Sequence, residues 1–556
     1  MKMVYSRMQL SLFIASTCLG ASSYGQAIPG SADPSRVEPF KDELKTEFPA
    51  KLPARPQLES HIEIPKSAQK IRFILDKINI EGVTAFSEED LLPIYANYEG
   101  NEVSLETAWE IASKITKHYQ SEGYFLSRAY VPAQEVKNNS VTIKVVESYI
   151  KDIELEESID KELFVKRLIK RLVNNKPVKA EQLESFMLQI NSLPGRDYEA
   201  VIKSIDNGAV KLFLNPLEEK DKTSITIDNY GSRFSGPFQG TATYSDSFLP
   251  LQQTTLSAFA TIPSDEMKYI AFGQEVAFYP DWKIDLSGSY VDSKPGYTLS
   301  SNNLRSDSAT IGIDLSWQPI RQRLKNLIIS FGIEGKNING DILVNSPLTR
   351  DRIRKSKFGI AYDVADSFNG YNYVSAEIHH GLEILEASEF GDANLSRSEA
   401  MPDFSKIEFS YSRIQGLPQS FTAIGRISGQ LSAEPLYSSE EFGYGGQSFG
   451  RAYDSSEITG DSGISGSLEL RYNGLKKWQG ISLYPYVFYD IGKVWNEDTA
   501  GLRQSGASSG TGMIIRHKSG INTNIGIAFP LTKSVSTPLD GHGKSPRVLF
   551  SLSHTF

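Results

Sequence analysis

The sequence predicts an α+β pair of repeats followed by an all-β, sixteen-stranded antiparallel barrel that crosses a membrane. Three observations carry that expectation. Residues 71–147 and 148–218 run through the same order of strands and helices, while residues 219–556 hold sixteen runs of alternating polar and apolar residues and no convincing amphipathic helix. The links between those runs alternate between tight and long, the pattern of a bacterial outer-membrane barrel with its turns in the periplasm. Composition agrees: 26 Tyr and 28 Phe in 556 residues suit a sheet-rich chain, and a net charge of −9 argues against the basic stripe of a nucleic-acid binder.

The chain opens with Lys2 and Arg7 ahead of an apolar run from Leu10 to Leu19 and the small, polar "ASSYGQA". This reads as a secretory signal peptide over residues 1–26, too short to span a bilayer. Cys18, the only cysteine, lies within it, so the mature chain is expected to carry no disulfide and no thiolate chemistry. Residues 27–70 are rich in proline and charge. One short helix is expected over Pro34 to Glu47, and "FPAKLPARPQ" is expected to be extended because proline disfavours a helical residue before it.

In the first repeat "ILDKINIEG" reads as a strand, and "SEEDLLPIY" opens a helix with Ser87 as N-cap and acids in its first turn. A second helix follows with Leu105, Ala108, Ile111, Ala112, Ile115 and Tyr119 at helical spacing, ended by Gly123. Strands are then expected over "YFLSRAYVPAQEV" and "SVTIKVVES". The second repeat places Phe164, Leu168 and Leu172 on one helix stripe and Leu183, Phe186, Met187 and Ile190 on another, and closes with "DYEAVIKSI" and "AVKLFLN" as strands. Two successive units of about 70 residues with one element order form an internal repeat.

In the barrel, short links such as "PDW", "QPIRQR", "SFNG" and "QGLP" alternate with long ones, among them "NINGDILVNSPLTRDR" and the segment 434–461. The last strand sets Val548, Phe550, Leu552 and Phe556 on one face and Ser551, Ser553 and Thr555 on the other, a lipid side and a water side. A soluble sandwich would need an apolar filling that the polar inner faces do not supply.

Three stretches carry a specific likeness: "INSLPGRDYEAVIKSIDNGAVKLFL", "DNYGSRFSGPFQG" and "FGRAYDSSEITGDSGISGSLELRY". With the overall layout, they make the chain resemble the outer-membrane transporters of two-partner secretion, the TpsB or hemolysin secretion/activation family of the outer-membrane insertase superfamily. The resemblance covers essentially the whole chain. It implies a plug helix and linker at 27–70, POTRA domains at 71–147 and 148–218, and a barrel at 219–556 with loop 6 at 434–461. The family's loop 6 carries a Val-Arg-Gly-Tyr-like motif that enters the lumen. Its counterparts are Gly450, Arg451, Ala452 and Tyr453, with alanine in place of the motif's glycine and Gly450 expected to supply the turn.

The family's partner motif, Phe-x-Asp-x-Gly, matches Phe488, Asp490 and Gly492, which strand periodicity places on one face. The resemblance thus implies that Arg451 pairs bidentately with Asp490 and tethers the loop tip to the wall. In a wet lumen the tether is expected to contribute about 1 kcal/mol. A terminal Phe556 resembles the signal by which the barrel-assembly machinery recognises such chains during biogenesis. The implied function is a Gram-negative translocation pore, its POTRA domains in the periplasm, which captures one large unfolded exoprotein and exports it, activating it in some family members. The other partner is outer-membrane lipid.

Enzymatic readings find no support. The seven histidines have no ligand spacing beyond the adjacent His379 and His380, which a strand would point to opposite faces, so neither a metal nor a cofactor is expected. No nucleophile elbow, P-loop or dinucleotide fingerprint occurs in a supporting context. Two rival functions fit the fold. An assembly insertase of the same superfamily usually carries more POTRA repeats, and a passive porin would leave these repeats idle.

Overall fold

The computed structural model describes residues 29–33, 36, 71–136, 138–155, 162–193, 197–217, 222–248, 251–343, 346–497 and 501–556. The expected signal peptide lies outside the described residues, as does the expected plug helix over Pro34–Glu47 apart from Arg36; of the linker region 27–70 only Pro29–Asp33 is described besides.

The first repeat comprises β1 (Arg72–Ile74), β2 (Lys77–Glu81), α1 (Glu88–Tyr95), β3 (Glu102–Ser104), α2 (Glu106–Ser121), β4 (Arg128–Tyr130) and β5 (Ser140–Val146). β5 pairs in parallel with β2 and antiparallel with β4. Ser87 starts α1 through a capping box with Asp90, which satisfies two otherwise orphaned backbone donors. α2 buries Ala108, Ile111, Ala112, Ile115 and Tyr119 against Leu75, Ile78, Val141, Ile143 and Val145. Beyond its end Gly123 takes a φ of +93°, the left-handed conformation that terminates helices.

The structure departs from expectation in two places here. The pairing of β1 with β3 was not legible, because three-residue strands carry no alternation. The strand expected over 124–136 shrinks to β4, since Pro132 has no N–H to donate and the Gln134 side chain takes over the pairing. Its amide donates to the Thr142 carbonyl and accepts from the Thr142 N–H, each at 2.7 Å.

Glu147, just past β5, ties this repeat together. It accepts hydrogen bonds from the backbone of Thr84 and Ala85 at 2.8 Å, from the Thr84 hydroxyl, and from Tyr119 at 2.7 Å. Burial alone would raise its pKa, but these bonds overcome burial and hold it below the ordinary 4.5. The folded state therefore prefers the ionised form, so its contribution is complete above the unfolded value and is lost as pH falls through the lower folded one. Glu147→Gln is expected to cost about 1–3 kcal/mol. Faster amide exchange across residues 71–147 in the full-length protein at neutral pH would report it, and acidifying the wild type should reproduce it; unchanged exchange would remove Glu147 from the account.

The second repeat, β6 (Tyr149–Glu154), α3 (Leu163–Val173), α4 (Ala180–Ile190), β7 (Tyr198–Asp206) and β8 (Ala209–Pro216), has the same topology, with β8 parallel to β6 and antiparallel to β7. Phe164, Val165, Leu168 and Leu172 of α3 and Phe186 and Ile190 of α4 form its core, into which Leu251 and Ala277 of the barrel also pack. Gln189 donates to Asp281 at 2.7 Å and Gln322 to Glu181 at 3.0 Å, so the repeat sits against the barrel's periplasmic turns.

The barrel strands are β9 (Lys222–Asp228), β10 (Phe238–Asp246), β11 (Gln252–Ile262), β12 (Met267–Tyr279), β13 (Trp282–Ser293), β14 (Arg305–Gln322), β15 (Lys325–Ile342), β16 (Ser346–Ala365), β17 (Gly370–Gly381), β18 (Ser405–Gly416) and β19 (Phe421–Ser432). A short hairpin, β20 (Phe442–Tyr444) and β21 (Ile458–Gly460), precedes β22 (Ser462–Tyr472), β23 (Ile481–Trp495), β24 (Arg503–His517), β25 (Ile521–Pro530) and β26 (Arg547–Thr555). Without that hairpin, sixteen antiparallel strands close into one barrel. Ile270, Phe272, Ile311, Ile313, Phe331 and Ile333 are exposed on its outer face, an apolar band that suits lipid.

Most of the expected loop over 337–352 is strand instead, residues 337–342 extending β15 and residues 346–352 opening β16. β15 and β16 run to 18 and 20 residues, well beyond the roughly 9–11 that span a bilayer. Above the membrane level neither face needs to be apolar, and Arg350 bonding the Gly340 carbonyl at 2.8 Å and Arg352 bonding Asn339 at 2.9 Å hold the pair. Closure between β26 and β9 is short, from Ser551 opposite Asp228 to Thr555 opposite Ser224. Above it the Asn229 side chain stands in for a strand, donating to the Val548 carbonyl at 2.9 Å and accepting from the Phe550 N–H at 2.8 Å.

Candidate functional site

Loop 6 leaves β19 and returns to β22 through the β20–β21 hairpin, which packs against the inner wall. Gly450 provides the turn at its tip, with φ +72° and its carbonyl accepting from the Tyr453 N–H at 2.8 Å. Because the left-handed residue is Gly450, Ala452 does not need glycine's freedom. Its methyl packs instead with Tyr486, Phe488, Ala528 and Leu549.

The structure brings the candidate residues together. Alternation along β23 turns Phe488, Asp490 and Gly492 into the lumen, where Arg451 meets Phe488 and Asp490 and Tyr444 lies over Gly492. Its Nη2 and Nε bind the two Asp490 oxygens at 2.9 and 3.1 Å, its backbone N–H donates to Asp490 at 3.1 Å, and its Nη1 binds Glu469 at 2.7 Å. The guanidinium carbon lies 3.5 Å from the centre of the Phe488 ring, a cation–π stack. Gly492 is needed because a Cβ there would collide with Tyr444 of the loop. Tyr453 is buried, its hydroxyl 2.9 Å from the Ala507 carbonyl and 3.0 Å from that of Lys533.

The expected strength of this pair needs correction. Arg451 is 8% exposed and Asp490 0%, so the site is not the wet, screened lumen that gives about 1 kcal/mol. Two carboxylates share one guanidinium away from water; removing it would strand Asp490 and leave Glu469 with Arg471 at 2.9 Å.

A second anchor escaped the sequence. Glu440, in the short turn Ser438–Glu440, lies among three lysines from the wall: Lys355 and Lys406 each at 2.9 Å and Lys336 at 3.3 Å. The signal that would have found it is the inward position of those lysines on β15, β16 and β18, since buried cations require a counter-ion. The adjacent Glu441 points to other partners, Arg36 of the N-terminal segment at 3.0 Å and Arg397 at 3.3 Å. That segment sits inside the barrel mouth, where Ala32 packs with Phe234 and Leu304 and the Ser31 carbonyl accepts from Ser232 at 2.8 Å. Asp454 at the loop tip binds Arg547 at 2.8 Å, and Arg547 also bonds the Gly231 carbonyl at 2.9 Å.

Phe556 lies apart from this site, exposed, with its N–H donating to the Thr223 carbonyl at 2.9 Å. Among the described residues no group of His, Cys, Asp and Glu is arranged to hold a metal, and no helix is long and apolar enough to cross a membrane.

The model of the haemolysin secretion/activation proteins ShlB/FhaC/HecB matches residues 215–513, and that of the ShlB-type POTRA domain matches residues 73–148. The heme/hemopexin transporter protein HuxB of Haemophilus influenzae is 24% identical over 487 residues, covering 83% of each chain. The outer membrane transporter CdiB of Dickeya dadantii is 22% identical over 500 residues, covering 86% of each. The solved structure of CdiB from Escherichia coli superposes with a TM-score of 0.66 at 18% identity, over 90% of this chain and 93% of that one.

Proposed function

From the membership of this chain in the haemolysin secretion/activation family ShlB/FhaC/HecB, as an outer-membrane transporter of two-partner secretion, we propose how its parts divide the work. The POTRA repeats capture the secreted partner in an extended form. β7 is a sheet-edge strand whose outward backbone groups offer hydrogen bonds to any extended peptide with little sequence readout, whereas at the edge strand β4 the Thr116 hydroxyl already bonds the Ala129 N–H and carbonyl. The partner then passes through the barrel and folds outside, which makes its transit directional.

Loop 6 is the movable element of that passage. The observation that carries this reading is the buried clamp of Arg451 on Asp490 and Glu469, which fixes a long loop inside the pore from its tip. An assembly factor for other barrels is the less well supported reading, since the family match is to secretion proteins.

Comparing culture medium and outer membrane between wild type and a clean deletion tests the assignment by quantitative proteomics. Loss of one or a few very large proteins from the medium, with other barrels unchanged, is expected. A broad fall in outer-membrane barrels would assign an assembly factor instead, and no change in either fraction would reopen the porin.

A further inference from the structure

α3 of the second POTRA repeat holds Lys166, Arg167, Lys170 and Arg171 with no acidic residue between Leu163 and Val173. Its apolar stripe is buried in the repeat, so all four cations face outward, and none pairs with a carboxylate among the described residues. Leu163 at the start of the helix is 64% exposed.

The position of this helix against the barrel gives the charge a meaning. The Arg167 guanidinium lies 4.9 Å from the centre of the Tyr279 ring. Tyr279 pairs with Trp282, and Trp282 with Trp317, whose indoles stack at 5.7 Å. Strand alternation puts the half-buried Trp282 on the face of Leu286 and Trp317 on that of Ile311 and Ile313, and Leu286, Ile311, Ile313 and Trp317 are exposed on the outer wall. These three aromatics thus form a girdle at the periplasmic end of the lipid face, the level at which lipid headgroups lie. Arg167 reaches over the outside of the wall at that level, away from the lumen.

We propose that α3 docks on the anionic phospholipid headgroups of the periplasmic leaflet. Cations within a Debye length of a negatively charged leaflet are each attracted to it, and a helix with a basic face and an exposed leucine fits the interface. The contact would fix the second repeat relative to the bilayer as well as to the barrel turns.

Amide exchange of the full-length protein in nanodiscs tests this, comparing phosphatidylcholine alone with discs enriched in phosphatidylglycerol. Exchange across Leu163–Val173 is expected to slow roughly fivefold in the anionic discs, with α2 of the first repeat unchanged as the internal control. Lys166→Gln with Lys170→Gln, both on the exposed face and away from the core, is expected to abolish the slowing. Equal rates in the two lipids, or slowing that persists in the double variant, would overturn the proposal. Export is not measured, so neither result depends on the secretion mechanism.

Discussion

Arg451→Ala is expected to leave a folded, heat-modifiable barrel in the outer membrane while export falls by an order of magnitude or more. The barrel survives because its ladder does not use this side chain. The loop tip does not, because Asp490 is left buried without a paired cation and Glu469 keeps only Arg471, a loss of about 3–5 kcal/mol. Arg451→Lys should recover little, since an ammonium cannot reproduce the bidentate fork or the stack on Phe488. Asp490→Ala should resemble Arg451→Ala, and combining them should add little, as expected for two halves of one interaction. Export measured by immunoblot of the medium at matched outer-membrane levels decides the matter. Unchanged export in Arg451→Ala would end the case for the clamp as a functional element.

Glu440→Gln is expected to act at the base of the same loop. Lys336, Lys355 and Lys406 would lose their common anion, while Lys355 keeps Glu334 at 3.1 Å and Lys406 keeps Glu408 at 2.9 Å. Hydrating that uncompensated charge opens the lumen locally, at a cost to loop placement of about 3–5 kcal/mol. Planar-bilayer recordings should show larger and more frequent conductance than wild type, and cells should become more sensitive to large antibiotics. Adding Lys355→Met should reverse part of the effect by removing one excess cation. Wild-type conductance in Glu440→Gln would show that the lysines do not hold the loop.

The repeats were legible because each helix carries its own apolar stripe, as Phe164, Leu168 and Leu172 do, and needs no distant residue to declare it. Arg451 and Asp490 were placed by family resemblance and by strand alternation, which correctly turned Phe488, Asp490 and Gly492 to one face. Glu440 was not legible, because its three lysines stand 104, 85 and 34 residues away and only closure of the barrel brings them to one point. The strand residues 337–342 and 346–352 were missed for a related reason: where a hairpin rises above the bilayer, the polar–apolar alternation that marks a membrane strand no longer applies. The strength of the tether was misjudged because burial is a property of the assembled lumen and has no local signature.

The neighbouring carboxylates of loop 6 divide their partners between the wall and the N-terminal segment. Glu440 faces the wall, whereas Glu441 faces Arg36 and also Arg397. If the N-terminal segment withdraws, Glu441 keeps Arg397 and the loop stays seated. If the loop withdraws first, Arg36 loses its carboxylate at once. The dependence therefore runs one way: the N-terminal segment relies on loop 6 for its carboxylate, whereas the loop keeps a cation of its own at Glu441 when the segment is gone.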